Sequence, residues 1–174
     1  MNKDQPILTT TRLNLRPYLL ADASDVQRLA GDRKVADTTL NIPHPYEDGM
    51  AEQWISSLET SWKSRSGITY AITLADSQQL IGTVSLSKIN GSEAELGYWI
   101  GADFWGNGFC TEASTELLRV CPSKFGIHQV RAVHLARNPA SGKVLQKLGF
   151  RYVDKDQMPD RDGKLSEIGV HERR

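Results

Sequence analysis

Glu95-Leu-Gly-Tyr-Trp-Ile-Gly-Ala-Asp-Phe-Trp-Gly-Asn-Gly-Phe-Cys-Thr-Glu112 runs an apolar strand into a glycine-rich turn, and the turn leads directly into a helix. Gly106 and Gly108 have no Cβ, so the chain can adopt left-handed dihedrals there and aim successive N–H groups at one point. A helix starting near Phe109 or Cys110 adds unpaired amides and the positive end of its dipole. Together these form a cradle for an anion such as a phosphate. The competing interpretation is a plain structural turn, and the turn alone does not separate the two.

Two common anion carriers are excluded. A triphosphate-binding P-loop needs Gly-Lys-Ser or Gly-Lys-Thr, and neither occurs in the chain. A dinucleotide fingerprint needs Gly or Ala where Thr111 stands, and an acidic residue about twenty positions further on, where Phe125 to Val130 offer none.

A second segment, Asn138-Pro-Ala-Ser-Gly-Lys-Val-Leu-Gln-Lys-Leu-Gly-Phe150, narrows the choice. Asn138 suits an N-cap, Pro139 the first helical position and Gly149 the residue past the end, which brackets a helix over 139–148. Val144, Leu145 and Leu148 supply its apolar stripe, with Lys143 and Lys147 as a basic i,i+4 pair. Ser141 in the first turn is left over from packing, and its hydroxyl can hydrogen-bond or protonate a reacting group.

The pairing of Tyr-Trp-Ile-x(4)-Trp-Gly-Asn-Gly-Phe-x-Thr-Glu-Ala (98–113) with Asn-x-x-Ser-x-x-Val-Leu-x-Lys-Leu-Gly-Phe (138–150) resembles the GNAT N-acetyltransferase superfamily. The nearest branch is that of the ribosomal-protein-alanine N-acetyltransferases, often called RimJ/RimL-like. The opening Thr-Thr-Arg-Leu-Asn-Leu-Arg-Pro (10–17) matches the start of that branch, so the resemblance spans nearly the whole chain. It implies a mixed α+β fold with one mostly antiparallel central sheet, two central strands splayed like a V, and about four flanking helices. It also implies acetyl-CoA as acetyl donor. The backbone at Trp99 and Ile100 would hold the pantetheine arm, residues Gly106, Asn107, Gly108, Phe109, Cys110 and Thr111 the pyrophosphate, and Asn138 the pantetheine from the opposite side. Glu95 matches an acidic position of the branch and is the expected general base, directly or through water. Many superfamily members carry a tyrosine acid where this chain has Gln146, so Ser141 is expected to protonate or stabilise the departing thiolate.

The remaining sequence is compatible with this. The 174 residues are 39% hydrophobic and 24% charged, which fits a single domain over 1–174. Lys plus Arg and Asp plus Glu each number 21, so no net field favours nucleic acid. No apolar signal core or membrane-length run is present, and a cytoplasmic protein is expected. On one helix, Cys110 and Cys121 would lie roughly 16 Å apart, beyond disulfide reach. Cys110 at a helix N-terminus could have a lowered pKa. His44, His128, His134 and His171 lack metal-ligand spacing, and no metal is expected.

The patterning predicts strands at 11–17, 70–74, 80–89, 93–100, 129–135, 150–155 and 165–171. It predicts helices starting near Asp22, over 47–64 with Met50, Trp54, Leu58 and Trp62 as the inner stripe, over 109–124, and over 139–148. Pro122 should end or kink the third of these near Leu118–Cys121. Alternation places Leu96, Tyr98 and Ile100 on one face and Glu95, Gly97 and Trp99 on the other, unless a bulge at Gly97 re-aims Glu95. Segment 35–48 is expected to be a loop that lines an acceptor pocket or serves as scaffold.

The expected acceptor is a primary amine. A free α-amine is about a tenth neutral at pH 7, whereas a lysine requires about 4.6 kcal/mol of deprotonation, so a protein N-terminus is favoured. A small-molecule amine (polyamine, antibiotic or amino acid) and a catalytically silent acyl-CoA sensor are the alternatives. Monomer and homodimer are both left open.

Overall fold

The computed structural model describes residues 4–173. Eight strands form one sheet in the order β1-β2-β3-β4-β5-β6-β8-β7. They are β1 (Leu8–Thr9), β2 (Leu13–Arg16), β3 (Ile68–Leu74), β4 (Leu80–Asn90), β5 (Glu93–Ile100), β6 (Gln129–Leu135), β7 (Arg151–Pro159) and β8 (Leu165–Arg173). Every neighbouring pair is antiparallel except β5 and β6. That parallel pair is short. It joins Glu93–Leu96 to Gln129–Ala132, and beyond this the two strands part. The fork expected from the resemblance is therefore present, opening at Gly97 on one side and Val133 on the other.

Five helices flank the sheet: α1 (Ala23–Ala30), α2 (Arg33–Ala36), α3 (Met50–Ser64), α4 (Phe109–Val120) and α5 (Pro139–Lys147). The larger core packs Ala113, Leu117 and Val120 of α4, with Leu145 of α5, against Leu13, Leu15, Ile72, Val84, Leu96 and Val130 of the sheet. Burying one such leucine contributes about 1.5–3 kcal/mol. The smaller core sets Ala23, Val26 and Leu29 of α1, with Ala51 and Ile55 of α3, against Ala71 and Leu80. With helices on both faces, β3 is buried at Ile68 and again from Tyr70 to Thr73, so it lacks the in-out alternation of a half-exposed strand.

Several expectations change in detail. The inner stripe of α3 is Ala51, Ile55 and Trp62, while Trp54 lies half-buried at its margin with its ring edge-on to Tyr18. Helix α1 begins one residue after Asp22, yet Asp22 does not cap it. Both of its carboxylate oxygens accept from Arg16 at 2.7 Å, and one also accepts from the Leu19 N–H. Segment 35–48 is not wholly loop, because Asp32 caps the short helix α2 through the Lys34 N–H. The proline effect appears as expected. Helix α4 ends at Val120, and Cys121–Phe125 widens into a π turn closed by Gly126 at φ 72°. No register shift occurs at Gly97. The irregularity of this hairpin lies opposite, between Ser87 and Asn90, where Lys88 has φ 51°.

No helix among the described residues is long and apolar enough to cross a membrane.

Candidate active site

The turn after β5 has the conformation its glycines suggest, with φ 80° at Gly106 and 78° at Gly108. Gly108 is the N-cap of α4, and the first helical bond runs from the Glu112 N–H to its carbonyl. The N–H groups of residues 106–111 have no acceptor among the described residues. Six unpaired donors at a helix start have the chemistry to receive an anion. Three side-chain hydrogen bonds also shape the turn: the Trp105 indole donates to Ile100 O at 2.7 Å, and the Asn107 amide donates to Phe104 O and to Trp105 O.

A cleft of about 410 Å³ extends from this turn into the fork. Its lining includes Trp99, Ile100, Gly106, Gly108, Phe109, Cys110, Thr111, Asn138 and Ser141, so nine of the eleven residues singled out from sequence share one hollow. The two exceptions are Asn107 and Glu95. Asn107 keeps its backbone in the turn, but its exposed side chain folds back onto the carbonyls of Phe104 and Trp105. Glu95 opens instead onto a neighbouring hollow at the paired foot of the fork, with Glu93, Arg131 and Glu172. The Lys88 ammonium contacts both Glu95 oxygens at 2.9 Å, so the carboxylate already has an ion-pair partner across the hairpin.

Asn138 is tied down at both ends of its amide. Its oxygen accepts from the Ser141 N–H, capping α5, and its nitrogen donates to Thr38 O at 3.2 Å. The segment after α2 is also held by Arg161, which donates to Ala36 O and to Asp37, and by Arg137, which donates to Asp37 O. Thr38 and Thr39 thereby join the cleft wall, while Pro43, His44 and Pro45 do not. Lys143 and Lys147 place two cations along the same cleft.

Sequence reading missed Tyr98. Its hydroxyl lies 2.9 Å from Ser141 Oγ and donates to Ser141 O at 3.1 Å. Burial pushes its pKa above the ordinary value, reinforced by the neighbouring Cys110 and opposed by the Ser141 hydrogen bond, so the phenol stays protonated and available as a donor. The signal was only the apolar-face position of Tyr98 on β5, which reads equally well as core. Cys110 corrects an expectation: burial pushes its thiol up to about 12, overriding the helix terminus, so it is not an activated nucleophile. A second unforeseen pair lies behind α5, where His171 Nε2 is 3.1 Å from His134 Nδ1. No group of three or more His, Cys, Asp or Glu among the described residues could hold a metal ion.

This combination of forked sheet and amide-lined turn coincides with known proteins. Residues 12–151 match the family of the acetyltransferase (GNAT) domain, and the chain belongs to that family as an N-acetyltransferase. An uncharacterized N-acetyltransferase of Bacillus subtilis (strain 168) is 28% identical over 148 residues, covering 84% of this chain and 83% of the relative. The [ribosomal protein uS5]-alanine N-acetyltransferase of Escherichia coli (strain K12) is 29% identical over 153 residues, covering 82% and 77%. The crystal structure of the microcin C7 self-immunity acetyltransferase in complex with acetyl-CoA and AMP superposes with a TM-score of 0.84 at 18% identity, covering 94% of this chain and 93% of the other.

Proposed function

We propose that the protein transfers the acetyl group of acetyl-CoA to the α-amine at a protein N-terminus, by direct attack within a ternary complex. The observation that carries this reading is the run of acceptor-free amides at 106–111, opening into the same cleft as the unpaired edge of β5 and the Ser141 hydroxyl. A diphosphate takes the amides, with Lys143 and Lys147 adding positive charge. A pantetheine arm carries amides of its own and pairs with the strand backbone that β6 leaves free beyond Leu96. The thioester then lies beside Ser141.

In the reaction the amine nitrogen bonds to the thioester carbonyl carbon, the C–S bond breaks, and the amine gives up a proton. Ser141 stabilises the departing thiolate by hydrogen bonding. When the single Tyr98 proton turns from Ser141 O to Ser141 Oγ, the serine proton is free to point at the sulfur. Full transfer of the phenol proton is disfavoured. A thiol near 8.5 lies below even an ordinary tyrosine near 10, by about 2 kcal/mol, and burial widens that gap.

What faces the cleft supports this choice of acceptor. Its lining includes no carboxylate among the described residues, and Glu95 is roughly 10 Å along the strand from Tyr98 and on the other face. Glu95 takes the amine proton through water from the far side of the sheet, with Lys88 as its standing ion-pair partner. That indirect route suits an α-amine, which is already partly neutral, better than a lysine. The uS5-alanine acetyltransferase relative supports the same acceptor.

Thiol release from acetyl-CoA, measured across short peptides with free or blocked N-termini, lysine side chains, polyamines and amino acids, tests the proposal. Turnover is expected with free peptide N-termini, and turnover confined to small amines would overturn this choice of acceptor. Tight CoA binding without turnover on any acceptor would instead indicate a sensor.

A further inference from the structure

Beyond the residues that touch the cleft, the turn is gripped from outside by the N-terminal segment. Arg12 Nε donates to Glu112 Oε2 at 2.7 Å and Arg12 Nη2 lies 2.6 Å from the same oxygen, while Nη1 donates to Asn107 O at 3.1 Å. Its guanidinium carbon sits 4.6 Å over the Phe109 ring. Glu112 is held further by Thr10 Oγ1 at 2.6 Å and by the Arg12 N–H at 3.0 Å.

Two consequences follow for an anion on the turn. Glu112 stands in the first turn of α4, where a free carboxylate would repel a diphosphate, and Arg12 cancels that charge. The peptide between Asn107 and Gly108 is trans, so its carbonyl and its N–H point to opposite sides. With the carbonyl drawn outward to Arg12, the Gly108 N–H faces the other way, and Gly108 lines the cleft whereas Asn107 does not. A glycine at φ 78° gives this peptide little resistance to flipping, so the outside bond sets its orientation.

We propose that Arg12 is a positioning residue for the nucleotide end of the cosubstrate, acting through Asn107 and Glu112 without touching it. The proposal rests on acetyl-CoA binding at this turn. Its test compares acetyl-CoA with S-acetylpantetheine, which shares the thioester and arm but lacks the diphosphate. In Arg12→Ala, KM for acetyl-CoA is expected to rise about tenfold, the scale of one charge-assisted hydrogen-bond set, with kcat at saturation preserved. KM for S-acetylpantetheine should not change. Arg12→Lys should recover part of the loss, because an ammonium pairs with Glu112 but lacks the fork that also reaches Asn107. An unchanged acetyl-CoA KM in Arg12→Ala, or equal losses for both donors with a lowered melting temperature, would overturn the role. If the wild-type protein has no affinity for acetyl-CoA, the underlying reading fails instead.

Discussion

The foot and the open end of the central fork are made by the same two strands and behave oppositely. At the foot, Glu93–Leu96 and Gln129–Ala132 satisfy each other's backbone, and the outward side chains, Glu95 and Arg131 among them, form a charged hollow. At the open end no such pairing exists, and the cleft wall combines free backbone with Tyr98, Ser141 and the amide turn. Strand pairing thus decides whether a backbone is structure or binding surface. Chemistry that needs donors gathers where the strands part, and the carboxylate expected as base lies where they meet.

The sharpest way to break this contrast is at the open end. Ser141→Ala should lower kcat about 10²–10³-fold, the usual cost of removing one donor to a developing anion, with KM for acetyl-CoA nearly unchanged. With Tyr98 proposed to act through that hydroxyl, Tyr98→Phe should reduce kcat in the wild-type background and do nothing further when Ser141 is already alanine, as a double-mutant cycle would reveal. Additive losses would make Tyr98 an independent donor.

Gly108→Val forces a β-branched residue to φ 78° within the cradle, and calorimetry should show acetyl-CoA binding weakened about 100-fold. At the foot, Glu95→Gln is expected to cost about tenfold in kcat/KM, consistent with a base that works through water. An unaltered kcat/KM would remove Glu95 from the mechanism and leave the open end acting alone.

The smallest effect concerns stability. Burial holds His134 and His171 below their ordinary value of 6.5, and the His134 imidazole further disfavours charge on His171. The unfolded chain therefore takes up protons that the folded chain refuses, so this contribution is complete above pH 6.5 and is lost as pH falls below it. Melting temperatures should be flat near neutrality and decline from about pH 6.5 toward pH 5, less steeply in His134→Gln.

The far edge of the sheet shows a related economy. Strand β7 is exposed along most of its length, yet Asp154 accepts from the Lys155 N–H and Asp156 from the Gln157 N–H. Side chains occupy donors that would otherwise invite another strand.

Much of the site was legible because it is local. Asn138 capping α5, the left-handed Gly106 and Gly108, and the break at Pro122 each depend on residues within a turn of one another, and each is found where the sequence puts it. The alternation along β5 was also sound, since Leu96 and Ile100 are buried while Glu95 and Trp99 face the other way. The same alternation kept Glu95 away from Ser141, and nothing in the spacing revealed Lys88 across the hairpin.

By itself the sequence determined most of the elements, the Asn138 cap, the left-handed glycine turn and the family, because backbone preferences and apolar periodicity act over a few residues. Only the tertiary structure decided which side chains meet. Arg12 finds Glu112 across 100 residues, Tyr98 finds Ser141 across 43, and His134 finds His171 across 37. Such contacts depend on how strands pair and where they separate, which is set by packing of the whole sheet and leaves no mark in local spacing.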